Sequence, residues 1–170
     1  MASVVPALRR ARYRAWQFMH GLRPSLAPRE IEDARAHLSP PEFALFLDAE
    51  ARDRRHSVDL FEALRAAGAG KSELVAALVH DVGKGRIRTW HRVAFVLLRT
   101  TPLAGRLEVE AGAPWQQALW RLRHHARLGA ERLEVAGSDE RVVELVRRHT
   151  DAPPADDAAL ARFIEFDDRL

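Results

Sequence analysis

The 170-residue sequence predicts an all-α protein, and three observations carry that prediction. Apolar residues recur at helical spacing in nearly every segment, and strict alternation is almost absent. The chain has no asparagine and no Asp-Gly pair, so the tight-hairpin signals of β proteins are missing. Proline and glycine fall between the periodic stretches, where they stop one helix and open the next.

Taken in order, a first helix is expected over about residues 6–21, rich in arginine and carrying Trp16, Phe18 and Met19. Gly21 and Pro24 end it. Pro28 opens a second helix with Ile31 and Leu38, and Pro40 and Pro41 open a third with Phe43, Leu45, Phe46 and Leu47. Asp53 is a candidate cap for a helix reaching about residue 67, which Gly68 and Gly70 end. Ser72 is the candidate N-cap of a helix through Leu74, Leu78 and Asp81 that stops near Gly83. An apolar helix follows over about 87–98, and Pro102 prevents its continuation. The segment 103–109 shows no clear period. Pro114 starts a helix through Leu119 and Leu122, and Gly129 sits inside the helical pattern that follows. Ser138 is the candidate cap of a helix with Val142, Val143, Leu145 and Val146. A loop with two prolines spans 151–157, and a last helix carries Leu160, Phe163, Ile164 and Phe166. A soft division near residue 50 separates a helical extension (1–50) from a core domain (51–170).

Composition removes several function classes. Apolar residues make up 47% and charged residues 30%, which suits a packed globular chain and excludes general disorder. The absence of cysteine removes disulfides, thiolate catalysis and sulfur-ligated metal sites. The longest apolar run, VAFVLL at 93–98, is far too short to span a bilayer, so no membrane partner is expected. No apolar stretch follows the N-terminal arginines as in a signal peptide, and a cytoplasmic protein is expected. The net charge of +3 comes from interspersed acids and bases. The one basic cluster, LRRARYR at 8–14, makes nucleic acid an unlikely partner without excluding it.

Histidine is the informative residue type. Eight are present, and four of them fall into an ordered set with two aspartates: His56, His80-Asp81, His125, His149 and Asp167. The members are separated by 24, 1, 44, 24 and 18 residues, and each lies on an expected helix or at its end. Several helices of one bundle can aim such side chains at one point, as bundle cores do when they build metal sites. The ligand atoms are all nitrogen or oxygen, which suits Mn²⁺, Fe²⁺, Co²⁺, Ni²⁺, Zn²⁺ or Mg²⁺. Two registers stay open. His124 competes with His125, and Asp168 with Asp167. The apolar stripe of Leu160, Phe163 and Ile164 projects onto Asp167 at the next turn, which favours Asp167. His20, His37 and His91 carry no such pattern.

In this order the residues resemble the HD superfamily of metal-dependent phosphohydrolases, whose signature is H…HD…H…H…D on a helical bundle. The matching stretches are RHSVDL at 55–60, ALVHDVGKGR at 77–86, HHARLGAERL at 124–133, ELVRRHT at 144–150 and RFIEFDDRL at 162–170. Gly83 and Lys84 follow the His-Asp pair, and Gly129 stands four residues after His125, as is frequent in the family. That spacing favours His125 over His124. The resemblance covers about residues 52–170. It implies that His56, His80, Asp81 and Asp167 hold one metal and that Asp81 bridges to a second held by His125 and His149. Two divalent ions would clamp a phosphoryl group and activate a water for attack. Asp81 and Lys84 are the candidate catalytic residues, Lys84 binding a phosphate or the leaving oxygen.

The implied reaction is hydrolysis of a phosphate ester or anhydride, with a nucleotide or another phosphorylated small molecule as substrate. The sequence lacks the Gly-Tyr-Pro of one branch, the Glu-Asp of the alarmone hydrolases and the glutamate of the deoxynucleotidases. What remains is similar to small stand-alone HDxxK proteins, among them the symmetrical diadenosine tetraphosphate hydrolases, whose fourth histidine also tends to precede threonine, as His149 precedes Thr150 here. A non-catalytic HD domain that binds nucleotides or proteins is the alternative. Arg86, Arg88, Arg127 and Arg148 are candidate phosphate contacts. Trp90, Trp115 and Trp120 are expected in the core, with base stacking as their other open role.

Overall fold

The computed structural model of the chain describes residues 25–170. The expected first helix and the basic cluster at 8–14 lie outside these residues. Among the described residues the chain forms nine helices and no strand. They are α1 (Pro28–His37), α2 (Pro40–Asp48), α3 (Ala51–Ala66), α4 (Lys71–Val79), α5 (Thr89–Leu98), α6 (Ala104–Leu107), α7 (Pro114–Val135), α8 (Glu140–Arg148) and α9 (Ala158–Asp167). The all-α class expected from the sequence is what the chain adopts.

The helix starts share a device other than a short polar N-cap. The third helical residue folds its side chain back onto the N-cap amide and accepts its hydrogen bond. Glu30 does this at Ala27, Glu42 at Ser39, Glu73 at Gly70, and Gln116 at Ala113. His91 does the same at Arg88, which accounts for that histidine without any ligand role. Three expected caps are therefore corrected. Gly70, not Ser72, precedes α4, because Glu73 supplies the acceptor. Asp139, not Ser138, caps α8 and accepts from the Arg141 amide, while the Ser138 hydroxyl is buried without a partner. Asp53 lies inside the first turn of α3, buried and paired with Arg92 at 2.6 Å, so it ties α3 to α5 instead of capping.

α4 is the axis of the core. Val75, Ala76, Ala77, Leu78 and Val79 are all buried, and a helix buried on every side belongs inside a bundle. Around it pack Val58, Leu60, Phe61 and Leu64 of α3, Ala130 and Leu133 of α7, Val142, Val143, Leu145 and Val146 of α8, and Leu160, Phe163 and Ile164 of α9. Ala34, Leu38 and Phe46 from α1 and α2 enter the same core. α7 has 22 residues and so runs for about 33 Å. Its C-terminal half joins this core. Its N-terminal half builds a smaller cluster, in which Ala118 and Leu122 meet Ile87 and Phe95.

Two of the tryptophans depart from expectation. Trp90 is 49% and Trp115 37% exposed. α5 faces the protein with His91 and Phe95 instead, which turns its larger apolar residues outward.

Candidate metal centre

The chain leaves α4 at Val79, earlier than the expected stop near Gly83, and delivers His80 and Asp81 at the end of the most buried helix. Both are nearly inaccessible to solvent. A short turn then runs through Gly83 to Lys84, whose amide donates to the Asp81 carbonyl at 3.0 Å. That turn, not a continued helix, brings the Lys84 ammonium to 2.5 Å from Asp81 Oδ2.

Glycine is required in this turn for reasons of space. A Cβ on Gly83 would lie 2.0 Å from the His125 carbonyl oxygen and 2.5 Å from the Gly129 nitrogen. The turn therefore rests directly on the backbone of α7. Gly129 is the other half of the contact, since its own Cβ would meet Gly83 N and His80 O at 3.4 Å. The spacing of Gly129 from His125, noted in the sequence, thus has a physical cause. The Arg132 guanidinium donates to the Val82 carbonyl at 2.8 Å and clamps the turn from the same helix.

Four helices besides α4 supply the remaining groups. His56 projects from α3, His125 from α7, His149 from the end of α8, and Asp167 from the end of α9. His56 Nε2 stands 2.8 Å from Asp167 Oδ1. His80 Nε2 is 3.5 Å from both Asp81 Oδ2 and Asp167 Oδ1. His125 Nε2 is 3.7 Å from Asp81 Oδ1 and 3.1 Å from His149 Nε2. Ligand bonds of about 2.0–2.2 Å put neighbouring ligands at about this spacing. Two groups of three, His56, His80 and Asp81, then Asp81, His125 and His149, each converge closely enough to hold an ion, and Asp81 belongs to both.

The hydrogen bonds determine which ring nitrogens are free. His80, His125 and His149 each place Nδ1 on the carbonyl three residues back, at Ala77, Leu122 and Val146, at 2.6–3.0 Å. A carbonyl only accepts, so each Nδ1 carries a proton, and in the neutral form each ring presents an Nε2 lone pair to the centre. His80 Nε2 and Asp81 Oδ1 are buried with no hydrogen-bond partner. The lone pairs of His125 and His149 oppose each other at 3.1 Å. Burial holds the His149 pKa down to about 3, reinforced by His80 and His125. Burial also lowers that of His125. A proton is thus a poor bridge at neutral pH, and a divalent cation fits this donor set.

The carboxylates are held ionised. Burial opposes the charge on Asp81, but His80, Lys84, His125 and His56 outweigh it and keep its pKa well below the usual range. Asp167 is lowered in the same way, with His80 and the His56 hydrogen bond overcoming burial. His56 moves up: burial disfavours its charge, yet the bond to Asp167 and the field of Asp81 prevail.

The structure places the two pairs of competing residues differently. His125 points into the cluster, whereas His124 lies against Trp120, with ring centroids 4.7 Å apart. Asp167 reaches His56, whereas Asp168 is exposed. Among the arginines, Arg127 is paired with Glu131 on the surface, and Arg148 with Glu144 and Asp151. Arg86 and Arg88 have no acidic partner among the described residues. Arg88 lines a cavity of about 330 Å³ with Glu50, Arg52, Ile87, Thr89 and Arg92. Arg52 stands one helical turn before His56 on α3. The signal for Arg52 and for the Asp53–Arg92 pair was absent from the motif, because both are defined by packing between α3 and α5.

The family model of the HD domain matches residues 54–170. No curated protein and no solved structure matches the chain. The matched span begins just before His56 and includes every residue of the cluster, and with most of its length covered the chain belongs to the HD domain family.

Proposed function

We propose that the protein hydrolyses a phosphate ester or anhydride, with a nucleotide as the substrate class, at a centre of two divalent ions. The carrying observation is the pair of neutral imidazoles, His125 and His149, whose lone pairs face each other beside an unpartnered carboxylate oxygen of Asp81. Leaving such groups buried and unsatisfied costs about 1–3 kcal/mol each, and a cation removes that cost.

In this reading His56, His80, Asp81 and Asp167 hold one ion, and Asp81, His125 and His149 the other. Mn²⁺, Fe²⁺, Co²⁺, Ni²⁺, Zn²⁺ and Mg²⁺ all suit nitrogen and oxygen ligands. The ions supply Lewis acidity and lower the pKa of water. Asp81 offers one oxygen to each group of ligands. The carbonyls of Ala77, Leu122 and Val146 orient the three rings, so little reorganisation is needed. Lys84 keeps a partly exposed cation beside Asp81 and can exchange that carboxylate for a phosphate oxygen of the substrate. Arg52 and Arg88, forks without acidic partners beside the 330 Å³ cavity, suit a further phosphate. The nucleotide class rests on the resemblance to small HDxxK proteins.

The test is release of phosphate or nucleotide from a panel of nucleoside mono-, di- and triphosphates and dinucleoside polyphosphates with added Mn²⁺. Metal-dependent turnover is expected, falling at least about a thousandfold in Asp81→Asn. Turnover that survives this substitution contradicts the reading. Metal-loaded protein that binds nucleotides without cleaving them would make the chain a non-catalytic HD domain.

A further inference from the structure

α5 is built the wrong way round for a helix on a protein surface. Its charged residue, Arg92, turns inward to Asp53, and His91 is buried as a cap. Its outer face consists of Trp90, Val93, Val96 and Leu97, which are 49–68% exposed. These positions fall at i, i+3, i+6 and i+7, so they form one stripe along the helix. Leu103, in the turn that follows, is 51% exposed as well. Contiguous exposed apolar surface of this kind marks an interaction site.

The surrounding charge says what kind of surface it meets. Residues 82–107 contain no Asp or Glu, but they contain Lys84, Arg86, Arg88, Arg92, Arg99 and Arg106. Arg92 and Lys84 are used internally. Arg86, Arg88, Arg99 and Arg106 are exposed and have no acidic partner among the described residues. The nearest acid along the chain, Glu108, is held by two hydrogen bonds from Arg123. A second copy docked face to face would bring these cations against their own duplicates. An anionic partner removes that conflict.

We propose that this face rests on an anionic lipid surface, with Trp90 at the interface, Val93, Val96 and Leu97 entering the acyl boundary and Arg86, Arg99 and Arg106 meeting lipid phosphates. The side chains protrude, and a bilayer accepts protruding apolar groups without a preformed pocket, as a folded protein partner does not. Tryptophan and arginine are the residues that sit well at the headgroup level. Nucleic acid would share the charge preference, but valine and leucine offer it no stacking surface. The proposal concerns lying on a membrane, not crossing it. No described helix is long and apolar enough to cross one. The sequence expectation of no membrane partner rested on the shortness of the longest apolar run, and the proposal departs from it.

The test is co-sedimentation of the full chain with vesicles of pure phosphatidylcholine and of phosphatidylcholine containing 30% phosphatidylglycerol. Binding to the anionic vesicles is expected, weakened by high salt. Val96→Asp with Leu97→Asp should reduce partitioning at least tenfold, and Arg99→Gln with Arg106→Gln should reduce it severalfold. Circular dichroism of each variant checks that the fold is kept. Metal-dependent turnover of a soluble nucleotide should be unchanged in these variants, so loss of vesicle binding and failure of the proposed chemistry are separable. Absence of binding by the parent chain overturns the proposal. So does binding indifferent to the α5 substitutions, which would locate the contact elsewhere, or a dimer that Leu97→Asp dissociates without any vesicle binding.

Discussion

A backbone carbonyl one turn back decides what each of three histidines can do. By accepting the Nδ1–H hydrogen bond, the carbonyls of Ala77, Leu122 and Val146 turn Nε2 of His80, His125 and His149 toward the centre, where a neutral ring offers a lone pair. Loss of one such donor should therefore remove the ion its group holds and spare the fold. His80→Ala is expected to lose the ion of the His56, His80 and Asp81 group together with hydrolysis, with helix content intact, as metal analysis and circular dichroism would show. Activity surviving in His80→Ala would contradict the assignment. Gly83 is different, because it bears on the backbone of α7 and not on a ligand atom. In Gly83→Ala the turn must move away from His125, so both metal content and stability should fall, the latter by about 1–3 kcal/mol in a chelator-treated melt.

At the scale of the elements, the join between α8 and α9 shows how electrostatics supports the site from outside. Asp157 accepts from the Leu160 amide at 3.0 Å and from Arg141 at 2.6 Å, while Arg141 also binds Glu144 at 2.7 Å. Asp157→Ala removes both a cap and an ion pair and should cost about 1–2 kcal/mol in denaturant unfolding. Arg141 is the first cause of the lowered pKa of both Asp157 and Glu144. Their contribution is therefore full above their unfolded values, near pH 4, and is lost as the pH falls through the lower folded values. Arg141→Gln should flatten the acid side of the stability profile in that range and leave stability above pH 7 with only the loss of the pairs themselves.

The same scale shows what the sequence made legible. Helix periodicity and proline starts located every described helix but the short α6, which lies in the segment left without a clear period. The order His56, His80-Asp81, His125, His149, Asp167 anticipated the side chains that converge, because helix ends and apolar stripes bring them to one side of α4. The caps were misread where a long Glu or Gln at the third position folded back, since a search for short polar caps favours Ser72 and Ser138. The Asp53–Arg92 pair and the outward face of α5 depend on how α5 sits on α7, and local periodicity does not encode that contact.

For the whole molecule, the buried α4 is both the centre of the core and the support of His80 and Asp81, so stability and metal affinity are coupled. An ion that binds only the folded chain should raise its Tm, and chelation should lower it. We propose that residues 51–170 form the HD unit and 1–50 an extension, whose described part from residue 25 packs on it. Phe46 of that extension is fully buried in the shared core, and Phe46→Ala should cost about 3–5 kcal/mol by chemical denaturation. The most direct test of the central claim is the metal content of untagged protein after reconstitution with Mn²⁺ and removal of free ion. Two ions per chain are expected for the parent and one for His149→Ala, since only the group of Asp81, His125 and His149 loses a ligand. A parent chain that holds no metal, or one whose content is unchanged in His149→Ala, would contradict the account.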